Sequence, residues 1–262
     1  MFTRLLICLC LLLAALPARA TDYTDIWYLP AESGWGANVV QSDSFMFVTF
    51  FIYGPDKKPI WYTANLTLDA SKNYNGKLYA TSGTYYGSTW VPGDLAQTEV
   101  GTASFQPTSP YTANLVYTVT TPATLAATVT KAIQRQTLTQ ITVGGSYIGA
   151  QAGAYSGGSC NKVGSYSDFF SLAVTQTTDR TVSLVFTYDS GLTCTLSGTL
   201  SQWGKMYNVP TAAYRCSDGV NTNASIGEFA ATNLGVEGRY SAPTVGGNCR
   251  EDATFSGVLH IN

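Results

Sequence analysis

The chain is predicted to be all-β, built as two tandem antiparallel β-barrel or β-sandwich domains related by internal duplication. Three observations carry that expectation. Runs of alternating or β-branched residues recur at 45–53, 115–119, 170–175 and 182–188, each with the period of a strand. Turn formers separate such runs: Gly54-Pro55-Asp56, Asn75-Gly76, Gly144-Gly145, Gly157-Gly158 and Gly246-Gly247-Asn248. The third observation is an internal repeat, the signature to seek before any other. No helical period of useful length appears after residue 20.

At a shift of 135 residues, Val39-Val40-Gln41 falls on Val174-Thr175-Gln176, Phe51 on Phe186 and Tyr53 on Tyr188, without a gap. Farther on, Phe105, Thr108 and Tyr117 match Phe229, Thr232 and Tyr240, with one residue lost before the last. Two matches in the same order predict an aromatic-rich β domain over 21–138 and a disulfide-stapled one over 139–262. A single large sandwich is the rival. The first copy has no cysteine and four of the five tryptophans; the second has four cysteines and only Trp203.

The N-terminal twenty residues read as a cleavable signal peptide. Arg4 precedes an apolar run from Leu5 to Leu16, and Ala18-Arg19-Ala20 supplies a small-residue cleavage site. The run is shorter than the roughly 20 residues that span a bilayer. Lipidation at Cys8 would ask for a small preceding residue, and Ile7 is not small. The expected location is the periplasm or the cell exterior. Loss of Arg4 and Arg19 leaves 12 basic side chains against 16 acidic ones, a formal charge of −4. That balance provides no electrostatic case for nucleic acid. Charged residues make up 11% of the chain, against about 25% in a typical soluble domain. No later stretch has the length of a transmembrane helix. An outer-membrane barrel is disfavoured by the four later cysteines and by the ending His260-Ile261-Asn262, which lacks an aromatic residue.

Those cysteines are Cys160, Cys194, Cys216 and Cys249. An even count in an exported chain favours two disulfides, and spacings this wide do not suit a zinc site. Cys194 and Cys216 are symmetric about Lys205. If Trp203-Gly204-Lys205 is a hairpin tip, they face each other across strands. Cys160 and Cys249 would then tie the first strand of the second copy to its last. The other two pairings stay open.

The sharpest local motif is Glu32-Ser33-Gly34-Trp35-Gly36. It is followed by an aromatic strand ending at Tyr53, by Pro59-Ile60-Trp61-Tyr62, and by Lys131-Ala132-Ile133-Gln134-Arg135-Gln136. Over about 26–138 the sequence resembles a group of exported proteobacterial proteins marked by these motifs in this order. The group has no settled biochemical function, so the resemblance implies location only. The segment is also similar to the start of calycin-type barrels. They place a Trp near the start of the first strand and cover its indole with a basic residue from the last. The analogy assigns those parts to Trp35 and Arg135, with a cation–π attraction of about 0.5–2 kcal/mol. Such barrels usually carry Gly-x-Trp, where this chain has Gly-Trp-Gly. Glu32 would accept backbone hydrogen bonds or pair with Arg135.

Adjacent aromatics occur at Trp27-Tyr28, Trp61-Tyr62 and Tyr85-Tyr86, with Trp90 nearby. Neighbours in a strand face opposite sides, so one of each pair is expected inside and one outside. Glu32, Trp35, Tyr53, Trp61, Tyr62 and Arg135 are the candidate ligand-binding residues.

Catalytic constellations are mostly absent. The only histidine is His260, beside the C-terminus, and no Gly-x-Ser-x-Gly elbow or phosphate loop is present. Glu251-Asp252 reads as a solvated turn beside Cys249. No catalytic residue, metal or cofactor is assigned. The expected function is an exported, non-catalytic binding module for a small or glycan-like ligand. The alternatives are a structural or interaction protein of the cell envelope and a carboxylate-dependent glycan hydrolase. Partners are therefore a small molecule, a glycan or an envelope protein.

Overall fold

A computed structural model describes residues 21–157, 160, 164–244 and 249–260. The expected signal segment lies outside them, as do Gly158 and the Gly246-Gly247-Asn248 turn. The chain is all-β and divides into two compact units: Asp22–Leu138 with Trp203–Lys205, and Thr139–Gln202 with the residues from Met206 onward. No described helix is long and apolar enough to cross a membrane.

The first unit is a closed eight-stranded barrel in which each strand pairs antiparallel with the next. Its strands are β1 (Asp25–Tyr28), β2 (Gly36–Ser42), β3 (Phe45–Tyr53), β4 (Pro59–Leu68), β5 (Tyr74–Ser82), β6 (Ala96–Pro107), β7 (Thr112–Val119) and β8 (Ala127–Arg135). The alternating residues of β3 explain its role. Met46, Val48 and Phe50 are fully buried, while Phe45, Phe47, Phe51 and Tyr53 face outward. The interior is filled by side chains, among them Trp27, Phe50, Leu66, Leu78, Phe105 and Leu115. It is a packed core, in which each fully buried large apolar side chain contributes about 1.5–3 kcal/mol.

The second unit is also a closed eight-stranded barrel. It runs through β9 (Gly145–Ser156), β10 (Gly164–Gln176), β11 (Thr181–Tyr188), β12 (Thr193–Thr199), β14 (Met206–Cys216), β15 (Asn221–Ala231), β16 (Gly235–Pro243) and β17 (Arg250–Leu259). The three-residue β13 (Ser201–Trp203) lies beside β14. Closure comes from β12 on β14 at one place and β9 on β17 at the other. Cys194 stands directly opposite Cys216 across β12 and β14, and the two are bonded. Cys160, which follows β9, is bonded to Cys249, which precedes β17.

The two barrels repeat one local device. In the first, Trp27 Nε1 donates to the Tyr23 carbonyl (3.0 Å), and the Tyr23 N–H donates to Gln41 Oε1 (2.8 Å). In the second, the Tyr147 hydroxyl donates to the Val143 carbonyl (3.1 Å), and the Val143 N–H donates to Gln176 Oε1 (2.9 Å). Each barrel thus ties the residue four places before an inward ring on its first strand to a glutamine at the end of its second.

One part of the sequence alignment is corrected. Phe51 does not match Phe186. Ala37 pairs with Phe50 across β2 and β3, and Leu172 with Phe186 across β10 and β11, each two rows from Val39 and Val174. The turn after Gln176 carries one more residue than the turn after Gln41. Phe50 and Ile52 are therefore the equivalents of Phe186 and Tyr188. A slip of one residue turns a strand's faces inside out, so the ungapped match set exposed Phe51 on buried Phe186. The later match keeps its faces: Phe105 and Phe229 are fully buried, and Tyr117 and Tyr240 both point inward.

Candidate functional site

The Glu32–Gly36 motif forms the β1–β2 loop. Gly34 adopts φ +108°, open to glycine and rarely to other residues. A side chain at Gly36 would press on the Trp27 carbonyl, 3.0 Å from its Cβ. Trp35 is half-buried against the barrel core, and its Nε1 donates to Glu32 Oε2 (3.2 Å). Lys131 Nζ donates to both Glu32 oxygens (2.9 and 2.7 Å) and lies 5.8 Å from the centre of the Trp35 ring. The Lys131 hydrogen bonds hold the Glu32 carboxyl below its ordinary value.

Two expectations are corrected here. Arg135 neither covers Trp35 nor pairs with Glu32. Its guanidinium lies 5.0 Å from the Trp27 ring centre and pairs with Asp25 (3.1 Å). It also donates to the carbonyls of Pro110 (2.8 Å) and Asp22. The first-strand tryptophan covered by the last strand's arginine is therefore Trp27. The reason is register: Trp27 lies opposite Arg135 across β1 and β8, whereas Trp35 precedes β2. Lys131 takes the part given to Arg135 because residues 131 and 135 share the inward face of β8, Lys131 at its centre and Arg135 at its end. Arg135 is fully enclosed and Tyr62 is a core residue, so neither presents a surface to a ligand.

The remaining candidates gather around one hollow. Phe51 and Trp61 are cross-strand partners on the outside of β3 and β4, and Tyr53 lies opposite Pro59. All three aromatics are more than half exposed. The Tyr53 hydroxyl donates to the Gly34 carbonyl (2.9 Å), joining this wall to the motif loop. Together with Gly34, Ile52 and Ile60 they line an open hollow of about 640 Å³. The hollow is on the barrel's outer wall, at the β3–β4 turn. The arrangement offers flat apolar faces with few charges, which suits stacking and not acid–base chemistry.

Trp27-Tyr28 and Trp61-Tyr62 divide as strand alternation expects, with Trp27 and Tyr62 inside. Tyr85 and Tyr86 do not: both are exposed, as is Trp90, because they occupy the loop between β5 and β6. His260 is exposed, and its backbone N–H donates to the Ser146 carbonyl. Among the described residues no group of three or more His, Cys, Asp or Glu side chains could hold a metal ion.

No protein-family model matches the chain. No curated protein matches it either.

Sequence reasoning missed a polar cluster inside the second barrel. Glu251 is no solvated turn residue. It lies on β17 with its side chain inward and 9% exposed, while its neighbour Asp252 faces out. The Tyr240 hydroxyl donates to Glu251 Oε1 (2.9 Å), and the Tyr166 hydroxyl donates to the same oxygen. Gln151, 4% exposed, accepts from Tyr188 (3.0 Å). The only clue in the sequence was alternation: Glu251, Ala253 and Phe255 share one face of β17, and two of the three are apolar.

Proposed function

We propose that this chain is an exported, non-catalytic binding module that takes a small or glycan-like ligand on the aromatic hollow of the first barrel. The observation that carries the reading is the exposed group of Phe51, Tyr53 and Trp61, pinned by the Tyr53–Gly34 hydrogen bond. Exposed aromatic rings stack on the apolar faces of sugar rings, and here two of them stand side by side across strands. The packed core leaves the outer wall as the place for such a ligand. Two disulfides fit a non-cytoplasmic location.

A panel of neutral and acidic oligosaccharides tests this reading. Trp61→Ala should weaken binding of any glycan that binds the intact protein by about tenfold or more, equivalent to about 1.4 kcal/mol. Unchanged affinity in Trp61→Ala, or no glycan bound by the intact protein, would sink it.

A second reading is an envelope interaction protein. Phe45, Phe47 and Val40 favour it, since they extend the exposed apolar stripe along β3 beyond the hollow. Crosslinking through Phe47→Cys that recovers only monomer in the native envelope would count against it.

A further inference from the structure

The Glu251 cluster is independent of the hollow just described. Its carboxylate is nine-tenths buried, yet among the described residues it has no ion pair. Both of its hydrogen bonds reach one oxygen, Oε1. Neither Glu251 Oε2 nor Gln151 Nε2 has a hydrogen-bond partner among the described residues. Burying a carboxylate with no cation among the described residues is costly, and such an arrangement favours a positively charged neighbour.

The surroundings indicate which group. The Tyr155 and Tyr166 rings lie 5.2 Å apart, and the Tyr214 and Tyr240 rings 5.7 Å apart. Tyr155 stands directly opposite Glu251 across β9 and β17. Burial, with the nearby Glu251 charge, pushes the Tyr155 hydroxyl up to about 12 and those of Tyr166, Tyr188, Tyr214 and Tyr240 upward as well. The phenols therefore stay neutral. Asp168 shares the face of β10 that carries Tyr166 and Phe170, yet it is exposed, because β11 has ended at that level. It adds a second negative charge to that face of β10.

We infer that the second barrel holds a binding site for a small organic ammonium ion, with Glu251 as counter-charge, the tyrosine rings as cage and the exposed Asp168 as a second negative charge nearby. Carboxylates attract the ammonium, and aromatic faces add cation–π attraction once water is excluded. A neutral sugar would leave the carboxylate uncompensated, and an anion would be repelled.

Isothermal titration of the intact protein with choline and with n-butylammonium tests the site, with acetate and glycerol as controls. Saturable one-to-one binding of either cation is expected. Glu251→Gln should weaken it at least tenfold, Asp168→Asn by a smaller factor, and Trp61→Ala not at all. The proposal is overturned by equal affinity in Glu251→Gln, by equal binding of the controls, or by no saturation up to about 10 mM of either cation. Should Glu251→Gln fail to fold, a crystal of the intact protein soaked with choline decides. The ammonium within ion-pair distance of Glu251 supports the site, and choline found only elsewhere refutes it. Because Trp61 lies in the other barrel, failure here leaves the glycan reading standing, and the converse also holds.

Discussion

The two barrels close differently. In the first, β1 and β8 meet through two residue pairs only, Trp27 with Arg135 and Tyr28 with Gln134. In the second, β9 and β17 pair through ten, and a disulfide joins the chain just beyond them. The short seam is reinforced by side chains: an enclosed Arg135 stacked on Trp27, held by Asp25 and by backbone carbonyls from both sides of the junction. The long seam needs no such clasp, and the ring that replaces Trp27 is Tyr147, with only its hydroxyl bond to Val143. Main-chain pairing and side-chain clasping are thus alternative ways of closing the same barrel.

The mouths differ as well. Where the first barrel has Ile52, the second has Tyr188, and the first barrel's Asp25 is paired with Arg135 whereas the second barrel's Glu251 accepts only from phenols. The outer walls are reversed in character. Phe45, Phe47, Phe51 and Tyr53 face out from β3, whereas Thr181, Ser183, Val185 and Thr187 face out from β11. The first barrel carries exposed aromatic rings on its outer wall, and the second gathers its tyrosines and a carboxylate inside.

The largest effect should come from breaking the side-chain clasp. Trp27→Ala or Arg135→Ala should cost about 3–5 kcal/mol. Hydrogen exchange should then report lost protection in β1–β8 and retained protection in β9–β17. Reduction should do the reverse. Each disulfide contributes about 2–4 kcal/mol, so the second barrel should loosen first and the first stay folded. Simultaneous loss of both on adding reductant would mean one cooperative unit. A finer comparison uses the repeated glutamine. Gln41→Ala and Gln176→Ala should each cost about 0.5–1.5 kcal/mol, and a large inequality in urea unfolding would break the equivalence.

The smallest effect concerns pH. Glu32 has a depressed carboxyl in the folded chain. Its interaction with Lys131 is therefore fully present above the ordinary carboxylate value of 4.5 and is lost as pH falls through the lower folded value. Trp35 fluorescence should change over that acid range, and Lys131→Met should abolish the change.

The all-β class and the run 45–53 were legible because strand alternation is a local property; β3 has the same bounds. Turn length was not legible, and one extra residue after Gln176 put Phe51 on the wrong partner. The clasp was misassigned for a related reason. Trp27 and Trp35 both precede the aromatic strand, and only register identifies which one meets Arg135. The Glu251 cluster was hidden because its members come from β9, β10, β11, β14, β16 and β17, so no stretch of sequence contains them together. The exposure of Trp61 was legible because adjacent aromatics in a strand divide between core and surface.

The two-pair seam has one more consequence. From Ala127 to Ile133, no strand of the barrel pairs with β8 on the side facing β1. A strand edge left open in this way is a template on which another chain can add its own strand. Lys131 sits in the middle of that stretch with its charge turned inward toward Glu32, and such a placement makes strand addition costly. The Glu32–Trp35 loop that drew attention as a binding motif thereby also holds the lysine that stands on this open edge.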